Sequence, residues 1–200
     1  YFLYWAGNAE SWNKIECNHR MTIFFSNPAV ALAQTTDIPA IKDLLNKTYR
    51  GDASRQGWTT EADLIAGETR ADEQMIGEVL GKEGSVILCY RTDNEQLIGC
   101  VNLQKHAQRI YLGMFSVSPE LQGGGIGKQL LKAAEEYASQ VGCSSIYMHV
   151  ISLRSELVAW YIRHGYTDTG KRIPFEEDGL TGKHLRKLEF MMLEKPLLTP

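Results

Sequence analysis

Apolar positions fall at helical spacing in the first part of the chain and in unbroken runs later. A short run, Val30 to Ala33, reads as a first strand. Ile38, Ile41, Leu44 and Leu45 then recur on one helical face. Thr36 and Asp37 offer capping oxygens and Pro39 sits in the first turn, so the pattern predicts a helix to about Tyr49, followed by Gly51. From Trp58 to Arg70 the pattern is mixed and polar, and Thr60 is placed to cap a short helix through Glu61, Asp63, Leu64 and Ile65. Met75, Ile76, Val79 and Leu80 stripe a clearer helix from Asp72 to about Leu80, ended by Gly81 and Gly84.

The period then shortens. Val86 to Tyr90 is an apolar run, Asp93 and Asn94 make a turn, and Leu97 to Leu103 and Arg109 to Val117 follow as partner strands of an antiparallel meander. A turn from Leu121 to Gly127 leads into a helix, Lys128 to Gln140, striped by Leu130, Leu131, Ala134 and Tyr137. Ser145 to Ile151 reads as a strand, Leu157 to His164 as a helix and Leu185 to Leu193 as a last strand. The predicted class is α/β in the α+β sense: a mixed, mostly antiparallel sheet flanked by helices, with a central βαβ-like passage.

Composition narrows this picture. A chain of 200 residues suits one domain and can bury roughly 70% of its extended surface, so it needs no staples. A formal net charge of -3 without a basic stripe argues against a nucleic-acid binder. Cys17, Cys89, Cys100 and Cys143 form no CxxC pair, which gives neither a metal set nor a disulfide framework and suits a reducing, cytoplasmic compartment. Residues 1–20 stand apart, rich in aromatics and asparagine. Asn8, Glu10, Asn13, Lys14 and Glu16 interrupt every apolar run there, so neither a secretion signal nor a membrane span is expected. They read as an extension, native or appended, with Met21 as an alternative start. Residues 21–200 read as a single domain.

The informative segment runs from Met114 to Lys128, strand then turn then helix, with Gly123, Gly124, Gly125 and Gly127 in the turn. Glycines at a helix start leave backbone N–H groups bare, and the helix end favours negative charge, so a phosphate is the natural guest. A P-loop needs a Gly five residues before Gly127 and a Ser or Thr after Lys128, but Gln122 and Gln129 stand there. A GxGxxG fingerprint ends on Lys128 when started at Gly123 and on Leu130 when started at Gly125, and both fail.

The pattern that fits is QxxGxG, filled by Gln122, Gly125 and Gly127. With it, one strand and one turn later, comes a helix carrying Tyr161 and ending in Gly165-Tyr166. In these two segments and their order the chain resembles the GNAT superfamily of N-acetyltransferases, from about Val30 to Lys195 and sharply between Gly113 and Tyr166. One departure is Arg154, which stands where many members carry an asparagine; Ser152, Ser155 or Arg154 itself is expected to take over its contact with the pantetheine arm.

The resemblance implies an enzyme that moves the acetyl group of acetyl-CoA to a primary amine by direct attack. The alternative is an acyl-CoA-binding sensor of the same fold without turnover. The implied cofactor site is the turn, Gln122, Gly123, Gly124, Gly125, Ile126, Gly127 and Lys128, with Arg154 and the backbone of Phe115, Ser116 and Val117 along the pantetheine arm. It requires their strand to splay from the one after the helix. Arg163 is a second phosphate candidate. Tyr161 is implied as the acid that protonates the leaving thiolate. For the base, alternation in the strand Ile146 to Ile151 sets His149 and Tyr147 opposite Ile146, Met148 and Val150, on the face where such strands line a cleft. Glu61, Asp63 and Glu68 fall on the implied acceptor wall. Partners are acetyl-CoA and a small-molecule or peptide amine, without nucleic acid, membrane or metal; family habit adds a homodimer. The acidic run Glu176-Glu177-Asp178, with Gly179 and Gly182, reads as a mobile loop of no assigned role.

Overall fold

The computed structural model describes residues 22–177 and 182–197. The expected extension at 1–20 and the centre of the acidic loop lie outside them. Seven strands form one sheet: β1 (Val30–Leu32), β3 (Ser85–Arg91), β4 (Leu97–His106), β5 (Arg109–Val117), β6 (Ser145–Ile151), β9 (Leu188–Pro196) and β7 (Thr167–Phe175), neighbours in that order. Every pairing is antiparallel except β5 with β6. A separate two-stranded pair joins β2 (Ile65–Ala66) to β8 (Lys183–His184).

The apolar runs do not alternate because helices cover both faces of the first strands. In β3, Leu88 packs beneath α4 (Ile126–Gln140), among Leu130, Leu131 and Ala134. Its neighbours Ile87 and Cys89 turn to the other face, against Ile41, Leu44 and Leu45 of α1 (Ile38–Tyr49), which the short α2 (Gly51–Ser54) follows, and Ile76 of α3 (Glu73–Gly81). Past β5 that second cover stops. Tyr147 and His149 of β6 therefore stack with Tyr111 rather than with a helix. Among the described residues no helix is long and apolar enough to cross a membrane.

Several boundaries differ from expectation for physical reasons. The helix predicted after Thr60 is a turn leading into β2, because Ile65 is drawn into an apolar cluster with Ile151 and Leu188. The last strand begins three residues later than predicted, at Leu188, since the residues before it belong to β8 and its turn. β7 was not anticipated: it is the exposed edge strand and lacks the apolar signal a central strand needs. α4 starts at Ile126 rather than Lys128, and α5 at Ser155 (Ser155–Arg163) rather than Leu157.

Candidate functional site

Two features of β5 create the site. First, one extra residue enters β5 opposite Cys100–Asn102, and Met114 there adopts φ +49. A non-glycine residue in the left-handed region costs about 1–3 kcal/mol and persists where its surroundings fix it. Second, β5 pairs with β6 only through Arg109–Tyr111, although the strands run on to Val117 and Ile151. The splay that the cofactor reading requires is therefore present. Ser118 N–H bonds back to Ile98, so alternation turns the backbone groups of Val117 and Phe115 to the opened edge. Their carbonyls are engaged there: Phe115 accepts from the Tyr49 hydroxyl and Val117 from Gln122 Nε2 at 3.0 Å. Ser116 is buried between them.

The opened edge faces a groove of about 650 Å³. Its far wall is α5, which presents Leu157, Trp160 and Tyr161. Its end is the start of α4, where Gly125 holds φ +85 as the residue before the first helical turn. A Cβ on Gly123 or Gly125 would meet no atom within 4 Å, so both glycines border open space in front of the helix N-terminus. Ile126 and Gly127 line the same end. Gly124 N–H bonds back to Leu121 and closes the turn. Lys128 and Arg163 line the groove, are exposed and have no carboxylate within ion-pair distance among the described residues. This end fits an anion, as the glycine count alone suggested.

Gln122 lines the groove, and its side chain is engaged within the protein. Its side chain accepts from Trp58 N–H at 3.0 Å and donates to Thr59 Oγ1 at 2.7 Å and to the Val117 carbonyl. It pins residues 58–59 across the groove and brings Trp58 to 6.4 Å from Trp160, ring to ring. Nothing in the pattern of residues 58–59 marked them as a groove wall.

A second cavity of about 120 Å³ opens behind the first, lined among others by Glu61, Arg70, Tyr111, His149, Phe175 and Phe190. The two cavities share Tyr49, Phe115, Arg154, Leu157 and Tyr161. Tyr161 is 3% exposed, and its hydroxyl makes no hydrogen bond among the described residues. Burial, reinforced by the nearby Tyr49, pushes its pKa far up, so the phenol keeps its proton. His149 is half-buried, with its ring centroid 5.4 Å from that of Tyr111. Burial and the charge of Lys171 lower its pKa, which keeps it neutral near pH 7.

The other predicted polar groups are held by one another. Glu61 gives one oxygen to Arg50 at 2.7 Å and the other to Arg154 at 3.1 Å, while the second Arg154 nitrogen donates to the Thr59 carbonyl. Arg154 thus joins the two cavities. Ser152 and Ser155 line neither. Asp63 is exposed and paired with Arg55 at 2.8 Å, and Glu68 is exposed; neither lines a cavity. Tyr49 and Arg70 are site residues that sequence reasoning passed over. Tyr49 continues the apolar stripe of α1 and looked like core; Arg70 sat in an unpatterned stretch.

Residues 38–166 match the Acetyltransferase (GNAT) family. No curated protein matches the chain. Among solved structures, the ribosomal-protein-S18-alanine N-acetyltransferase of Escherichia coli aligns with a TM-score of 0.62 at 14% identity, over 86% of this chain and 94% of that one. A ribosomal-protein-alanine N-acetyltransferase from Brucella melitensis aligns at 0.63 and 19%, over 84% and 99%. A phosphinothricin acetyltransferase from Sinorhizobium meliloti, in complex with AcCoA, aligns at 0.62 and 17%, over 84% and 87%. These likenesses show the mixed, mostly antiparallel fold described above, and the family match over more than half of its length makes this protein a member of the GNAT acetyltransferase family.

Proposed function

We propose that the protein is an N-acetyltransferase that takes acetyl-CoA in the larger groove and an amine in the smaller cavity. The carrying observation is that the two cavities meet at Tyr161, whose hydroxyl is protonated and unpaired among the described residues.

The residues present fit the donor. The α4 N-terminus, with Lys128 and Arg163, would hold its phosphates. The opened edge of β5, at Phe115 and Val117, would pair with its amide-bearing arm as an added strand does. Trp58 and Trp160 supply apolar cover on either side. When bound, the donor supplies an activated acyl carbon and a thiolate leaving group.

In the reaction the amine nitrogen bonds to that carbon and the carbon–sulfur bond breaks. One proton leaves nitrogen and one reaches sulfur. An alkyl amine has a pKa of roughly 10.4 and reacts only when neutral. His149, kept neutral by burial on the acceptor side, is positioned to take its proton, directly or through water. Tyr161 donates to the sulfur. Its raised pKa makes a complete transfer to a thiolate of ordinary pKa, about 8.5, uphill. Burial raises the thiolate's proton affinity too, and a hydrogen bond that strengthens as charge develops stabilises the departure.

The test is thiol release from acetyl-CoA against an amine panel, with the acetylated product identified by mass spectrometry, in wild type and Tyr161→Phe. The expected result is amine-dependent release that falls at least tenfold in the variant. Full activity in the variant would remove the acid role. Donor binding without release for any amine would favour the sensor.

A further inference from the structure

The smaller cavity is small and positively charged. Its charged lining is Glu61, Arg154 and Arg70. Both Glu61 oxygens are engaged by arginines, Arg50 from behind and Arg154 from within, so that cluster carries two positive charges against one negative. Arg70 adds another and has no carboxylate within ion-pair distance among the described residues.

Arg70 is not a loosely tethered surface cation. Asn46 of α1 grips the backbone on both sides of it: Asn46 Oδ1 accepts from Arg70 N–H at 2.6 Å and from Ala71 N–H at 3.0 Å, and Asn46 Nδ2 donates to the Ala71 carbonyl at 3.0 Å. The guanidinium then lies over the Tyr49 ring, 5.8 Å from its centroid, at the wall shared with the larger groove. Its charge reaches the Tyr49 and Tyr111 hydroxyls, where it opposes the effect of burial. The remaining lining is uncharged, and its aromatic part includes Tyr111, His149, Phe175 and Phe190, with the last two stacked at 4.2 Å.

We propose that the acceptor is a small amine that also carries a carboxylate, an amino acid in its simplest form, with Arg70 as the carboxylate's anchor and the Phe175–Phe190 end as the seat for its side chain. This rests on the N-acetyltransferase reading and narrows its substrate class. A planar guanidinium free of a protein partner matches a carboxylate through two parallel hydrogen bonds. A volume of about 120 Å³ suits one small molecule and not a folded segment. The positive surroundings disfavour the ammonium form of the bound amine and so help supply the neutral nucleophile. They also repel polyamines and aminoglycosides, whose several cations would meet a net positive lining with Glu61 already engaged by two arginines.

The experiment uses matched acceptors with acetyl-CoA: each of the twenty amino acids, its carboxamide, and the amine lacking the carboxyl group, with spermidine and kanamycin as cationic arms. Products are read by mass spectrometry, for wild type, Arg70→Gln and Arg70→Lys. The expected result is a kcat/KM at least tenfold higher for the preferred acid than for its amide. In Arg70→Gln that ratio falls to about one through KM, and Arg70→Lys recovers part of it. Acetyl-CoA affinity by calorimetry stays within twofold in both variants, which reports an intact fold. Amides or polyamines acetylated as well as the acids would overturn the acceptor class alone, and so would an Arg70→Gln ratio equal to wild type. Acetyl-CoA binding with no acetylated product from any acceptor would overturn the N-acetyltransferase reading and this inference together.

Discussion

The two cavities meet at one tyrosine but are built in opposite ways. The larger groove is framed by backbone: the opened edge of β5, the first turn of α4 and glycines that keep space clear in front of it, one contiguous stretch completed by α5 and by residues 58–59. The smaller cavity is made by side chains brought from α1, the stretch between α1 and α3, β5, β6, α5, β7 and β9. Backbone recognition survives changes of side chain, and it serves a partner whose phosphates and amides never vary. Side-chain recognition changes with each substitution, and it serves a partner that differs from one family member to the next. In the proposed reaction, geometry would secure the donor and charge would select the acceptor.

The strongest way to break that division is at Glu61, which holds the arginines of both sides. The Arg50 side chain is 1% exposed, and those of Glu61 and Arg154 are each 10% exposed. Glu61→Ala would leave two buried cations facing each other, at a cost of about 3–5 kcal/mol. Chemical denaturation should show it as a fall in midpoint without a change in slope. A loss under about 1 kcal/mol would mean that water reaches both arginines and that the cavities are not joined through this network.

The β2–β8 pair, whose Ile65 packs in one cluster with the cavity-lining Ile151, Phe175 and Phe190, gives the next effect. Gly182 holds φ +110, and a Cβ there would collide with the Ala66 carbonyl across the β2–β8 pair. Gly182→Ala should cost about 1–3 kcal/mol locally. It should raise the KM for the amine while leaving the KM for acetyl-CoA within twofold. The donor side answers with Gly125→Val. The left-handed backbone there disfavours any L side chain, and the new methyls would occupy the space in front of α4. Acetyl-CoA affinity should weaken roughly thirtyfold, about 2 kcal/mol, with acceptor KM little changed. Equal changes in both constants for either variant would show that the two cavities do not act separately.

The same division explains what the sequence disclosed. The fold class, the limits of β5 and β6 and the glycine-rich turn before α4 were legible because each is a local pattern: an apolar run, a helical stripe, glycines before a helix. Gln122 was legible as part of a motif, but its work, holding residues 58–59 across the groove, depends on a contact between residues more than sixty positions apart. β7 was missed because an exposed edge strand has no face to bury, so no hydrophobic period marks it. Arg70 and Tyr49 were missed for a related reason. α1 gives the cavity one residue and the stretch after it two, too few to show a period. The alternation in β6 did place His149 on the cavity side, because there one strand carries the information by itself.

The smallest expected effect lies in the pH dependence at His149. Its pKa in the folded protein is lowered by burial and by Lys171, below the ordinary imidazole value of about 6.5. A proton acceptor must be neutral, so the acidic limb of kcat/KM should fall at a midpoint below that value. The same shift has a stability sign. The unfolded chain binds this proton more readily than the folded one, so the contribution of neutral His149 is fully present above about pH 6.5 and is lost as pH falls through the folded value. His149→Gln should abolish the acidic limb and flatten that part of the stability profile. Because neighbouring arginines already favour the neutral amine, the rate at pH 7 should drop only about tenfold, less than the roughly hundredfold or more that a general base typically contributes. A limb that persists unchanged in the variant would assign it to another group and leave the arginines of the acceptor cavity as the sole means of obtaining a neutral nucleophile.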